Sequence, residues 1–308
     1  MPTSRVMIHA EGLSKRYGRQ RAVQELTFDV EAGRICALLG PNGAGKTSTI
    51  RMLVGLTVPD AGVVRIAGTA VSLGAPVLRR VGVLIDGPAL VPHLTGIANL
   101  KLFWAAARQT WPPPGLGDAL DLAGLGSAFD RKVKGYSMGM KQRLMLAQAF
   151  MRRPDVLILD EPANGLDPAE VRALRNYLAD RAADGIAVLV SSHQLAEVQT
   201  LATDIVVMNH GRLVTAGRLD DLLDGAGTCR IRTEEPDRAL TVLRDTPGVT
   251  ATTMDDGDVM VTAPSVPVSG IVETLVRAGV AVAGASEDHR SLEDAYLALT
   301  EGHDHAAR

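Results

Sequence analysis

The stretch "GPNGAGKT", Gly40–Thr47, decides how this chain is read. It fits the pattern G-x-x-x-x-G-K-[ST]. The apolar run "ICALL" (35–39) stands directly before it, and residues 47–56 read as a helix directly after it. Strand, glycine-rich turn and helix are the context this pattern needs in order to cradle phosphate. Glycines let backbone N–H groups close around phosphate oxygens. The helix N-terminus adds about half a positive charge. Average composition yields a chance match in roughly one chain of this length in a hundred. Lys46 is placed to reach the β- and γ-phosphates of ATP, and the Thr47 hydroxyl to ligate Mg²⁺. Only six of the 32 basic residues are lysines, so position 46 takes a compact charge in an arginine-biased chain. The expected ATP-binding segment is Gly40, Pro41, Asn42, Gly43, Ala44, Gly45, Lys46, Thr47 and Ser48.

A second stretch, "VLILDEP" (156–162), is an apolar strand ending in two carboxylates. A strand buried on both faces carries such groups to the carboxyl edge of its sheet, where ligands of α/β folds bind. Asp160 is expected on the Mg²⁺ side, acting through water. Glu161 is expected to orient or deprotonate the attacking water.

Working outward, apolar strands alternate with helices, which argues for a mainly parallel sheet covered on both faces. Helices are expected near 95–108, 168–183 and 194–202, with strands at "IAVLVSS" and "DIVVMN". After "GRLDDLLDGAG" the composition shifts. The remainder reads strand (229–233), helix (236–245), two strands around "DDGD" (255–258), helix (266–278) and strand (280–284), then an amphipathic helix (291–300) carrying Leu292, Ala295, Tyr296 and Leu299 on one face. The first six follow the βαββαβ order of a ferredoxin-like unit. The division is placed near 222, giving an ATP-binding domain 1–222, with a helical subdomain at about 90–150, and a small α+β domain 223–308.

The chain has 308 residues, 46% hydrophobic and 22% charged, with a net charge of −3, which leaves no electrostatic case for binding nucleic acid. Two cysteines imply no disulfide framework, and Cys36 inside "ICALLG" reads as a small buried hydrophobe. The N-terminus lacks the apolar core of a signal peptide, and the longest apolar runs are strand length. Work at a membrane therefore needs a partner that spans it.

Together these residues resemble the nucleotide-binding subunit of ABC transporters over about residues 5–220. The resemblance implies a P-loop NTPase fold of ABC type, with a mostly parallel core, an N-terminal antiparallel β subdomain and a helical subdomain. Tyr17 matches the aromatic that stacks on adenine. "YSMGM" (136–140) occupies the signature position, which implies that Ser137, Gly139 and Met140 contact ATP held by a second subunit. Asp167 in "NGLD" matches the loop that organises the contact between subunits, and His193 in "SSH" the switch histidine at the γ-phosphate. Asp86 stands where a Mg²⁺-contacting Gln is usual; a carboxylate can also ligate a hard cation. The signature departs from the common L-S-G-G-Q at Tyr136, Met138 and Met140.

The implied catalytic set is Glu161, His193 and Lys46, with Thr47, Asp160 and Asp86 on the metal. The implied partners are a separate transmembrane permease and a second ATPase chain, as homodimer or paired subunit, at the cytoplasmic face of the membrane. "LIDGPALVPHLTGIANL" and the small C-terminal domain look most like the bacterial antibiotic and multidrug exporter branch. Two readings compete with export. One is the ATPase of an importer; the other is a soluble ABC ATPase acting on ribosomes or DNA ends. Against the soluble reading stand a single phosphate loop and signature, about 90 residues apart with no heptad run between them.

Overall fold

The computed structural model describes residues 5–85, 90–223, 228–254, 256–263, 266–287 and 291–297. Asp86 and Leu299 lie outside the described residues. The chain divides into two compact units, one running to Leu219 and the other spanning Asp220–Ala298.

The first unit opens with two long strands, β1 (Val6–Tyr17) and β2 (Gln20–Glu31), then β3 (Ile35–Leu39), α1 (Lys46–Leu53), β4 (Ala61–Ile66) and β5 (Thr69–Ala70). β6 (Val81–Leu84) leads into the helical part, α2 (Gly96–Ala106), α3 (Leu116–Ala123) and α4 (Met138–Phe150). The chain returns through β7 (Val156–Asp160), α5 (Pro168–Ala183), β8 (Ala187–Ser192), α6 (Leu195–Leu201), β9 (Asp204–Asn209) and β10 (Arg212–Arg218), and α7 (Leu219–Leu223) starts at the last described residue of this unit.

An antiparallel sheet in the order β2-β1-β4-β5 precedes a six-stranded sheet in the order β10-β9-β3-β8-β7-β6. In the larger sheet β9, β3, β8, β7 and β6 pair in parallel, and only β10 is antiparallel. Every residue of β3, β7 and β8 is buried, as expected of strands covered on both faces. A single apolar cluster joins the two sheets through Ile8, Leu26, Leu38, Ile50, Ile158 and Val206. The carboxyl ends of β3, β7 and β8 therefore sit on a rigid base.

Three differences from the sequence reading have local causes. β10 was not expected; a two-residue hairpin makes it, with His210 at φ 48° and Gly211 at φ 77°, a backbone that twists with the strands it joins. β6 was not expected either: Val81–Leu84, just before Asp86, pair with Val156–Leu159. The strand expected at 280–284 forms instead at 284–287. Before it the chain follows 232–233 through single bonds only, from Ala283 N–H to the Arg232 carbonyl (2.8 Å) and from the Thr233 hydroxyl to the Ala281 carbonyl (2.6 Å).

In the second unit, β11 (Thr228–Arg232), α8 (Pro236–Arg244), β12 (Thr250–Thr253), β13 (Val259–Thr262), α9 (Val268–Arg277) and β14 (Gly284–Glu287) form an antiparallel sheet in the order β12-β13-β11-β14. This is the ferredoxin-like arrangement. Cys229, Ile231, Val259 and Val261 meet Ala239, Leu243, Ile271 and Leu275 of the helices in its core. Residues 292–297 are helical, with Leu292 and Ala295 buried.

Candidate active site

The phosphate loop connects β3 to α1. Gly45 caps α1 at φ 106°. A side chain there would run into the Ala22 carbonyl, and one at Gly40 into the Met208 carbonyl. Gly43, at φ 83°, faces open space, so its need for glycine is conformational alone. Lys46 is 7% exposed, and its Nζ donates to the Gly40 carbonyl at 2.6 Å and the Pro41 carbonyl at 3.4 Å. The ammonium thus lies folded over the loop it belongs to. Burial pulls its pKa down, and the nearby charges of Glu161 and Asp160 pull it partly back up.

The ends of β7 and β8 bring the carboxylates to this loop. Asp160 and Ser191 are register partners. The Ser191 hydroxyl donates to Asp160 Oδ1 at 2.5 Å, and the Thr47 hydroxyl to Asp160 Oδ2 at 2.9 Å. Ser191 also accepts from the Glu161 N–H at 2.9 Å, so one serine orients two successive residues. Glu161 sits in left-handed backbone at φ 47°, uncommon for a residue with a side chain. Its Oε2 is 2.8 Å from Nδ1 of His193, which projects just beyond β8. Glu197 on α6 has its pKa raised, chiefly by burial.

Thr47 and Asp160 present hard oxygen donors side by side, the chemistry that suits Mg²⁺. Among the described residues no group of three His, Cys, Asp or Glu could hold a metal by itself.

The expected signature begins α4. Ser137 accepts from the Met140 N–H at 3.2 Å as the N-cap. Tyr136, in place of the usual Leu, is buried and donates its phenol to the Ala128 carbonyl at 2.5 Å, so the departure is a packing substitution with its polar atom satisfied. Met138 stands 68% exposed at the helix tip, while Met140 is half-buried. Gly139 is buried against the loop before α5, where a Cβ would come within 2.7 Å of the Gly165 carbonyl oxygen. Asp167 caps α5 in a reciprocal box with Glu170, through bonds of 2.9 and 3.0 Å.

Thr47, Met138, Lys141, Gln142, Asp160 and Glu161 line one cleft, so the signature helix and the carboxylates face each other within the chain. Tyr17, 45% exposed, ends β1 with Lys15 Nζ 5.8 Å from its ring centre. The structure thus gathers Lys46, Thr47, Asp160, Glu161 and His193 into one constellation, with Tyr17 apart from it at the end of β1. Two polar residues of the site were not singled out from the sequence, Ser191 and Gln142. A signal existed for Ser191, since "SS" interrupts an apolar run just before His193.

A phosphate loop on a parallel sheet, with an Asp-Glu strand end beside it, defines a nucleoside-triphosphate hydrolase. The family pattern described as ABC transporter matches residues 23–164. The bacitracin transport ATP-binding protein BcrA of Enterococcus faecalis is 33% identical over 299 residues, covering 96% of this chain and 97% of its own length. The daunorubicin/doxorubicin resistance ATP-binding protein DrrA of Streptomyces peucetius is 35% identical over 311 residues, covering 96% and 92%. A solved structure of the ATP-binding subunit of an ABC transporter superposes with TM-score 0.64 at 31% identity, over 70% of this chain and 91% of that one. This chain belongs to the ATP-binding proteins of ABC transporters and is an ATPase. Members of this family dimerise and pair with membrane permeases.

Proposed function

We propose that the chain drives export of an antibiotic, drug or other small molecule, as the ATPase subunit of a separate permease. ATP lies along Gly40–Ser48 with its adenine on Tyr17. Lys46 leaves its loop carbonyls for the β- and γ-phosphates. Thr47, and through water Asp160, would hold Mg²⁺, which would supply positive charge to the phosphate oxygens. Glu161 takes the proton of the attacking water, and His193 steadies that carboxylate and contacts the γ-phosphate. The products are ADP and phosphate. A second copy, or a paired ATPase chain, lays Ser137, Gly139, Met140 and Asp167 over this ATP. That arrangement suits a helix N-terminus ending in an exposed tip. The single observation carrying the reading is the chain of bonds Thr47–Asp160–Ser191–Glu161–His193 at the sheet edge.

Among the described residues no helix is long and apolar enough to cross a membrane. In this reading the permease spans the membrane and the chain works at its cytoplasmic face. The open groove lined by Leu56, Leu78, Val83, Phe103, Ala107 and Met145 supports contact with that partner. Export is favoured by the likeness to BcrA, a bacitracin transport protein, and DrrA, a daunorubicin/doxorubicin resistance protein. The region from 223 onward is read as an accessory domain. The test is Glu161→Gln: kcat falls by about a thousandfold, while ATP binding persists and a stable ATP-bound dimer accumulates. Near-normal turnover would remove Glu161 as the base.

A further inference from the structure

Four residues of α4, Met138, Gly139, Gln142 and Arg143, share one helix face by their spacing. That face grips the segment from Glu161 to Glu170 at three points. Met138 and Gly139 lie against Gly165, where an added Cβ on Gly165 would reach 2.7 Å from Met138 Cγ. Arg143 Nε stands 3.1 Å from Glu170 Oε1, the residue that closes the Asp167 capping box. Between them Gln142, 7% exposed, donates its Nε2 to the Pro162 carbonyl at 3.0 Å and the Glu161 carbonyl at 3.3 Å.

Glu161 needs such a hold. Its backbone is left-handed at φ 47°, and a residue with a side chain keeps that conformation only when its surroundings impose it. Ser191 fixes the N–H side of Glu161, and Gln142 fixes the carbonyl side. We infer that Gln142 is a positioning residue for Glu161, and that through it the signature helix sets the aim of this chain's own catalytic carboxylate. This rests on the reading of Glu161 as the base. One consequence follows for a dimer. The helix that touches the partner's ATP at Ser137 and Gly139 holds, one turn further on, the backbone of the base at the other site. Occupancy of one site is then felt at the carboxylate of the second.

The test is a double-substitution cycle on the purified full-length chain, with Gln142→Met, Glu161→Gln and both together. Methionine keeps the volume and removes the donor. We expect Gln142→Met to lower kcat about tenfold with KM for ATP within about twofold, a loss of aim rather than of binding. In the Glu161→Gln background the same change should alter single-turnover hydrolysis by less than about twofold, because a carboxylate already absent cannot be misaimed. Gln142→Lys, which restores a donor of similar reach, should recover most of the lost kcat. An equal loss in both backgrounds overturns the inference and makes Gln142 purely structural; so does a folded Lys variant as slow as the Met variant. If Gln142→Met does not fold, Gln142→Glu takes its place, with the same length and no donor when ionised. The Glu161→Gln arm alone reports on the base, so its failure is distinguishable from that of Gln142.

Discussion

The two units dispose of their polar groups in opposite ways. The first buries Lys46, Gln142, Asp160, Ser191 and Ser192 near one edge of its parallel sheet. Among the described residues of the second, only Thr233 and Asp258 are buried polar side chains. Asp258 is answered by Arg230 (Nε to Oδ2, 2.6 Å), and the core cluster itself is aliphatic apart from Cys229. Burying a polar group costs free energy unless it is hydrogen-bonded, so a sheet edge that collects several needs a reason beyond folding. In the first unit the reason is chemistry. The core of the second is built by packing alone.

Lys46→Met should expose this contrast most strongly. It removes a desolvated ammonium whose pKa burial has lowered, together with its bonds to Gly40 and Pro41. ATPase activity should fall by at least about a hundredfold, the loss of charge-assisted bonds to phosphate. The ATP-free protein should melt no lower than the wild type, because a thioether costs less to bury than an ammonium. A folded variant that still hydrolyses ATP near the wild-type rate would break the comparison.

Ser191→Ala comes next. It deprives buried Asp160 Oδ1 of a donor and the Glu161 N–H of an acceptor. Stability should drop by about 1–3 kcal/mol in chemical denaturation, and kcat should drop about tenfold or more, because both carboxylates lose a fixed reference. Ser191→Thr, keeping the hydroxyl, should recover much of both. A stability loss with unchanged kcat would reduce Ser191 to a packing residue.

How much of this was legible in the sequence differs by kind. Gly40–Thr47 and Asp160–Glu161 could be read because a phosphate loop and a strand end fix residue type at fixed spacing. The parallel core was visible in its continuous apolar runs, and the ferredoxin-like unit in its element order. Gln142 was not legible as a site residue, and Ser191 showed only as a polar break in an apolar run, since the meaning of both lies in register and reach. Ser191 matters because β8 sets it opposite Asp160, and Gln142 because α4 passes the Glu161–Pro162 turn. β10 needed the two positive φ angles of His210 and Gly211 to be foreseen from one glycine.

The second unit predicts the reverse of Lys46. Ile231 is fully buried in its core. Ile231→Ala should cost about 2–5 kcal/mol in that unit's unfolding transition, while ATP hydrolysis by the purified chain stays within about twofold. An equal loss of hydrolysis would show that the catalytic edge depends on the second unit's core, and the proposed accessory role of residues from 223 onward would need revision.

The smallest effect belongs to an exposed pair, and its value lies in its sign. His9 on β1 holds Asp29 of β2, Nδ1 to Oδ1 at 2.6 Å, with Glu11 Oε2 at 3.5 Å from its other nitrogen. The Asp29 hydrogen bond is the main reason its pKa rises above 6.5, against some desolvation. A raised folded pKa means that the protonated form is favoured by folding. The stabilisation is therefore complete below pH 6.5 and disappears as pH rises through the higher folded value. With the imidazole a third exposed, solvent screening keeps the gain small. His9→Asn should lower Tm by about 1–2 °C at pH 5.5 and by nothing measurable at pH 8.5. Hydrolysis should be unaffected at either pH, since His9 and Asp29 stand on the antiparallel sheet and not at the ends of β7 and β8. A Tm difference that grew with pH would reverse the linkage and exclude the His9–Asp29 pair as its source.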